Sequence, residues 1–518
     1  MRVHRILLGF WALLALCSTQ MAWADSQRHV ALISDLHVGA GKLPNGAGWN
    51  AIEDFRWQPE FNLFLDDIAK RAKDSVDLVL VGDVFELWQS PTMTCSTDIS
   101  APGCVVTDCQ ESDTELGCNE SEALARLGHI VAQHPEFIDA LRKFAVRGTN
   151  RVYIVPGNHD AALLFPTVRA YLQEKFSGAR VQVIERGYWL SEDGTIYADH
   201  GHQFDEVNEF ADWPNPFVQK NGVAYLRKPW GENMVQQFYN QYEGIFPIVD
   251  NLSREWDGVD FAIDEAGLGN TTAAVGRFAR FFIFRQSLRQ AGTALGEKKD
   301  AKWDYDNARK QPPDFFLEVF KNNAGLMARA SEAQRTGALQ LDPMKFSNEE
   351  LDAICAAKES VAGATRCLLP GSQNLSAAAR GALLSDTQRT AAYLKRIFQK
   401  LAADKQPVPQ AYVYAHTHSP MPPKDLTITD MPSGSVRIKY ANTGAFQRVA
   451  SKAQIQKIID AKLAPSVMQI QPEQLPPCYS FIWIKPYSGP PGLQLQSWKL
   501  ETNGQWSPSE RTCSAGPD

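Results

Sequence analysis

Five short apolar runs in this 518-residue chain each end in residues able to hold a cation or pass a proton. HVALIS at 29–34 is followed by Asp35, Leu36 and His37. VDLVLVG at 76–82 is followed by Asp83, and RVYIVPG at 151–157 by Asn158, His159 and Asp160. GTIYAD at 194–199 leads to His200, Gly201 and His202, and QAYVYA at 410–415 to His416, Thr417 and His418. Runs so rich in Val, Ile, Leu and Tyr predict strands. The first three are almost continuously apolar, as strands covered on both faces are, and stretches between them such as EFNLFLDDIAKRA at 60–72 have helical periodicity. In layered α/β folds the strand ends gather along one edge, so these residues are expected to converge there.

Each signal is weak alone. An Asp after a strand is most often a turn or helix cap, and His416 with His418 could be two solvent-facing residues beside a turn. Together they carry more, because six of the ten histidines follow the ends of these runs. Carboxylates, an amide carbonyl and imidazoles with no thiolate suit Mn, Fe, Zn or similar divalent ions. Two ions about 3.5–4 Å apart need a shared ligand, and Asp83 is the natural bridge. His29, His129 and His134 fall outside the pattern and read as structural or exposed.

The ordered segments DLH at 35–37, GD at 82–83, GNHD at 157–160, His200 and AHTH at 415–418 resemble the blocks of the metallophosphoesterase (calcineurin-like phosphoesterase) superfamily. Ala415 stands where that pattern has Gly, a small-for-small change. VRIKYANTGAF at 436–446 is similar to the family's closing strand and turn. The resemblance implies a four-layered α/β/β/α sandwich with two mixed sheets. It further implies one ion held by Asp35, His37, His418 and the bridging Asp83, and a second held by Asp83, Asn158, His200 and His416. A hydroxide bridging the ions would attack phosphorus, and His159 would protonate the leaving oxygen or hold the phosphoryl group. Asp160 and His202 would touch substrate, support the ligands from behind or fix turns. Ligand identity does not separate Mn, Fe, Zn, Mg and Ni, although the histidines make an all-Mg centre a poor fit and Mn, Fe or Zn the first expectation.

Glu86 stands three residues after Asp83 and could pair with His159 and raise its basicity. The family's protein phosphatases carry an Asp there within a longer phrase ending in Arg-Gly, and its purple acid phosphatases a Tyr; this chain has neither. GDVFELW at 82–88 and HGHQFD at 200–205 are similar to the UDP-diacylglucosamine pyrophosphatase branch, although GNHD differs from that branch's usual G-N-R-D.

Arg2 and Arg5, the apolar ILLGFWALLAL at 6–16 and AWA at 22–24 read as an export signal cleaved after Ala24; an uncleaved anchor or a lipid on Cys17 are the alternatives. Eight of the nine cysteines lie beyond it, at 95, 104, 109, 118, 355, 367, 478 and 513. An even number in an exported chain favours disulfides, with 355–367 and 478–513 the pairs proximity suggests. The four between 95 and 118 lack the close pairs of zinc knuckles. The net charge of −7 gives no footprint for nucleic acid.

Between His200 and His416 the chain is far too long for a loop. SNEE at 347–350 has a capping pattern, and 375–405 is amphipathic, so 205–405 is expected to be a mainly helical cap. It would interrupt a core of 25–204, with a Cys-rich loop at 90–120, and 406–518. VGRFARFFIFRQSLRQ at 275–290 is either a buried cap helix or a helix touching membrane or an acyl chain. SFIWIKPY at 480–487 and GLQLQSWKL at 492–500 are expected to complete the second sheet. The expectation is an exported dinuclear phosphoesterase acting on a phosphomonoester, phosphodiester or pyrophosphate, with lipid and nucleotide esters as candidate substrates. The alternative is a non-catalytic protein that binds metal and ligand on the same fold. Oligomeric state is not legible in the sequence.

Overall fold

A computed structural model describes residues 28–43, 48–89, 116–205, 208–210, 212–229, 231–232, 235–236, 247–248, 251–252, 387–431 and 434–513. All of these except 459–470 belong to one compact unit; 459–470 belongs to a second and holds a short 3-10 turn at Val467–Gln469.

The first sheet has seven strands. β1 (His29–Ile33), β2 (Val76–Val81), β4 (Arg151–Val155) and β5 (Val181–Val183) run parallel in that order. On the far side of β1 come β13 (Cys478–Ile484), β14 (Leu493–Leu500) and β15 (Trp506–Ser509), each antiparallel to its neighbour. The second sheet has five strands in the order β11 (Met421–Met431), β12 (Gly434–Asn442), β10 (Ala411–Tyr414), β7 (Ile196–Ala198) and β6 (Trp189–Leu190), with β10 parallel to both β12 and β7. A smaller antiparallel sheet joins β3 (Leu116–Asn119) to the hairpin of β8 (Phe217–Lys220) and β9 (Val223–Arg227).

The two-residue period of a strand sorts its side chains between layers. Ala31, Ile33, Leu78 and Leu80 face a core shared with α1 (Gln58–Arg71), α2 (Glu120–Gln133), α3 (Pro135–Val146) and α4 (Pro166–Lys175), through Phe61, Phe64, Leu127, Leu141, Phe144 and Leu172. Their neighbours Val30, Leu32, Val79 and Val81 face the other way and meet Ile196, Ala198, Val413 and Ala441 of the second sheet. The opposite face of that sheet, with Tyr197, Tyr412, Tyr414 and Ile438, is covered by Leu394, Phe398 and Leu401 of α5 (Thr387–Ala403). This is a four-layered α/β/β/α sandwich. Burial of each large apolar side chain contributes about 1.5–3 kcal/mol, so three stacked cores hold the layers together.

The C-terminal runs differ from expectation. β13 and β14 join the first sheet, with β13 beside β1, instead of completing the second. Every residue of β13 is buried, Tyr479, Phe481 and Trp483 toward the helices and Ile482 and Ile484 toward the other sheet. A strand apolar on both faces belongs inside a sandwich. Cys478 and Cys513 form a disulfide across the strand group, and Cys118 is also disulfide-bonded. Residues 90–115 of the Cys-rich stretch lie outside the described residues, as do Cys355, Cys367, 275–290 and most of the segment expected to form the cap.

Candidate metal centre and active site

All five sequence segments end at one edge, where the two sheets meet. Asp35 and His37 follow β1, Asp83 follows β2, and Asn158, His159 and Asp160 follow β4, all in the first sheet; His200 and His202 follow β7, and His416 and His418 follow β10, in the second. The turns are tight. Asp35, His37, Asp83, His416 and His418 all have left-handed backbone, with φ between 48° and 73°. Such backbone in non-glycine residues costs on the order of 1–3 kcal/mol each and concentrates at functional sites. Two glycines permit the close approach: a Cβ on Gly157 would lie 2.2 Å from Asp83 Oδ1, and one on Gly82 2.4 Å from His200 Nδ1.

Two groups of candidate ligand atoms result, each lying within 4.8 Å of one another: Asp35 with His37 and His418, and Asp83 with His200 and His416. Asp83 Oδ2 is 2.9 Å and Asp35 Oδ1 3.9 Å from His200 Nε2, and Asp35 Oδ1 is 3.4 Å from His418 Nε2. One nitrogen of three of the imidazoles is engaged away from the centre. His200 Nδ1 meets the carbonyl of Val81 at 2.9 Å, His37 Nδ1 meets Glu86 at 2.8 Å, and His416 Nε2 meets Asp205 at 3.0 Å. Such partners orient metal-binding histidines and select the tautomer.

The donor set fits a pair of divalent cations. His37 Nε2 and both polar atoms of Asn158 are buried without a hydrogen-bond partner, a costly condition for groups that coordination would satisfy. Burial opposes charge on His200, yet Asp83 and Asp35 outweigh it and lift its imidazole to about 10. A site that so favours a proton favours a metal cation by the same field.

A third group, His37, Glu86 and His159, has a different construction. Glu86 Oε2 lies 2.8 Å from His37 Nδ1 and 2.6 Å from His159 Nδ1, while Oε1 accepts the backbone N–H groups of Trp88 and Gln89, both at 2.9 Å. Protons on the ring nitrogens hold this group together. Burial works against charge on Glu86, but His159 and His37 keep its carboxyl well below the usual range. The effect is mutual: against burial, Glu86 and then Asp83 raise His159 to about 9. The backbone N–H of His159 also donates to Asp83 Oδ1 at 2.9 Å.

Asp160 is fully buried and accepts from Gly157 N at 2.6 Å and Val84 N at 2.8 Å, so it ties two ligand-bearing turns. Burial, followed by Asp83, raises its carboxyl to about 6. His202 is buried behind His200, its ring edge-on to Trp213 at 4.3 Å. Burial and the neighbouring His200 and His416 hold it neutral, well below the usual histidine range.

Sequence reasoning passed over three residues. Asn442, at the end of β12, donates to Ala415 O at 2.8 Å and Thr417 Oγ1 at 3.1 Å and so shapes the turn that carries His416 and His418. Asp205 orients His416 and accepts from Asn208 at 2.6 Å. Asp199, beside His200, accepts the hydroxyls of Tyr393 at 2.6 Å, Tyr412 at 2.8 Å and Tyr197 at 3.1 Å, and burial still pushes its carboxyl up. Asp199 and Asn442 stand at strand ends, the signal that found the others, whereas Asp205 follows the 3-10 turn His202–Phe204 and has no such mark.

A four-layered sandwich with buried carboxylates and imidazoles gathered at the common edge of its sheets has the build of a metallohydrolase. Residues 28–244 match the family model described as calcineurin-like phosphoesterase, a domain of the metallophosphoesterase superfamily. Proteins of this family are metal-dependent phosphoric ester hydrolases with a dinuclear divalent metal centre. His416 and His418 lie beyond the matched stretch, and the fold returns them to its edge. No curated protein matches the chain.

Proposed function

We propose that the protein is an exported dinuclear phosphoesterase. In this reading Asp35, His37, His418 and Asp83 hold one divalent ion, Mn, Fe or Zn, and Asp83, Asn158, His200 and His416 hold the other. The supporting observation is the convergence of Asp35, His37 and His418, and of Asp83, His200 and His416, from both sheets into two groups of ligand distance. Bound ions supply Lewis acidity, activating water and stabilising negative charge on phosphoryl oxygens.

The chain's own residues do the rest. Glu86 occupies Nδ1 of His159, so Nε2 is the nitrogen presented outward. As the bond from phosphorus to the leaving oxygen breaks, that oxygen keeps the electron pair and takes the Nε2 proton; neutral His159 recovers a proton from water. Asp35, Asp83, Glu86 and His200 are fully enclosed, whereas His159, His416 and His418 keep side-chain exposures of 17%, 13% and 16%. Substrate therefore approaches over the three histidines.

Export is supported by the leader-like residues 1–24 and by the Cys478–Cys513 bond, which suits an oxidising compartment. Among the described residues no helix is long and apolar enough to cross a membrane. The phrases GDVFELW and HGHQFD support including pyrophosphates of lipids or nucleotides among test substrates.

The test is hydrolysis of p-nitrophenyl phosphate and bis-p-nitrophenyl phosphate by protein freed of metal and reloaded with Mn, Zn or Mg. Turnover restored by metal is expected, and the preferred ester directs the search for the substrate. Two ions bound per chain with no turnover on these or on pyrophosphate esters would favour the ligand-binding alternative.

A further inference from the structure

His159 is confined on more sides than its contact with Glu86 requires. The indole of Trp88 stacks on its ring with centroids 4.0 Å apart and planes 27° apart. The edge of His37 approaches from another direction at 4.6 Å and 87°. Trp88 is itself held: it is 3% exposed, its N–H donates to Glu86 Oε1, and the carbonyl of its neighbour Leu87 accepts Nη1 of Arg126 from α2.

A histidine ring has a broad, two-fold torsion about its last bond. The Glu86 contact anchors one atom of the ring but leaves its plane free to tilt about that contact. A stacked indole removes the tilt.

We propose that Trp88 is the positioning residue of His159, fixing the ring plane so that Nε2 and its proton meet the leaving oxygen. This rests on the reading of His159 as the leaving-group acid. Asp83, Glu86 and Trp88 thus place a metal ligand, an orienting carboxylate and an orienting ring on one seven-residue segment, GDVFELW.

The experiment compares Trp88→Leu, Trp88→Phe and His159→Ala in the full chain, each reloaded with metal and checked for metal content and melting temperature. Turnover is measured on p-nitrophenyl phosphate, whose leaving group needs little protonation, and on an alkyl phosphate, whose leaving group needs it. Trp88→Leu is expected to keep its metal and to lose at least about tenfold more turnover on the alkyl ester, part of the 10²–10⁴-fold a general acid supplies. Trp88→Phe, which retains a stacking ring, is expected to recover most of it. Equal loss on both esters, no loss, or Phe no better than Leu would overturn the proposal. If His159→Ala itself loses both activities equally, the acid reading fails; if it shows the selective loss and Trp88→Leu does not, the Trp88 proposal alone fails. Should Trp88→Leu not fold, Trp88→Met against Trp88→Phe makes the same comparison.

Discussion

Asp83 Oδ2 lies 2.9 Å from His200 Nε2, and the two residues come from different sheets. The contact joins the two halves of the sandwich at its edge, so the centre exists only when both sheets are packed. Asp83→Asn keeps the shape but removes half the charge that would bind two cations. We expect metal content to fall below two ions per chain and turnover to drop by more than the about 10–100-fold typical of groups that only support a ligand. Elemental analysis alongside kcat checks this, and unchanged metal and turnover would remove Asp83 from the centre.

Asn158 sets function against stability. Its amide is buried with both polar atoms unpartnered, so Asn158→Leu, of similar size, should stabilise the metal-free protein by about 1–3 kcal/mol. The same change should lower the gain in melting temperature that metal produces in the parent. Denaturation with and without metal gives both numbers; a destabilised metal-free variant would contradict the account.

The pH dependence follows from Glu86. It helps raise His159 from 6.5 to about 9, so the proton donor stays charged through neutrality. Turnover of esters with poor leaving groups should fall as pH rises through about 9. The raised value also stabilises the fold, fully below 6.5 and progressively less as pH approaches and passes about 9. Glu86→Gln withdraws the raising charge and should move the alkaline limb to lower pH, visible in kcat/KM profiles.

Asp205 sits 3.0 Å from His416 Nε2. Asp205→Asn should weaken metal binding about 10–100-fold at one ion only, as loss of an orienting carboxylate does elsewhere. Titration against a competing chelator should then resolve a weakened and an unaltered ion.

The Cys478–Cys513 bond closes a loop with a sequence separation of 35. Its removal by paired Cys→Ala substitution should cost about 2–4 kcal/mol, seen as a lower melting temperature than that of the oxidised parent.

The positions of the strands and of the converging turns were readable because each carries a local signature. Apolar runs buried along most of their length mark β1, β2, β4 and β10, and Asp, Asn or His after each marks the turn. Partners that depend on distant packing left no such mark. Trp88 reads as one more apolar residue until His159 lies on its face, and Asp205 reads as a helix or turn residue until His416 is beside it. β13 shows only that it is buried on both faces, which does not say which sheet it enters.

The layered α/β class, the ordered candidate ligands and their chemistry were legible in the chain alone, because continuous apolar runs and the identity of turn residues are local properties. Long-range packing sets β13 beside β1, brings Glu86 to His37 and His159 together, and turns particular ring nitrogens toward the centre. Those outcomes depend on how two sheets stack and on contacts of a few ångströms between residues remote in the chain, where packing chooses among arrangements that local preference leaves equal.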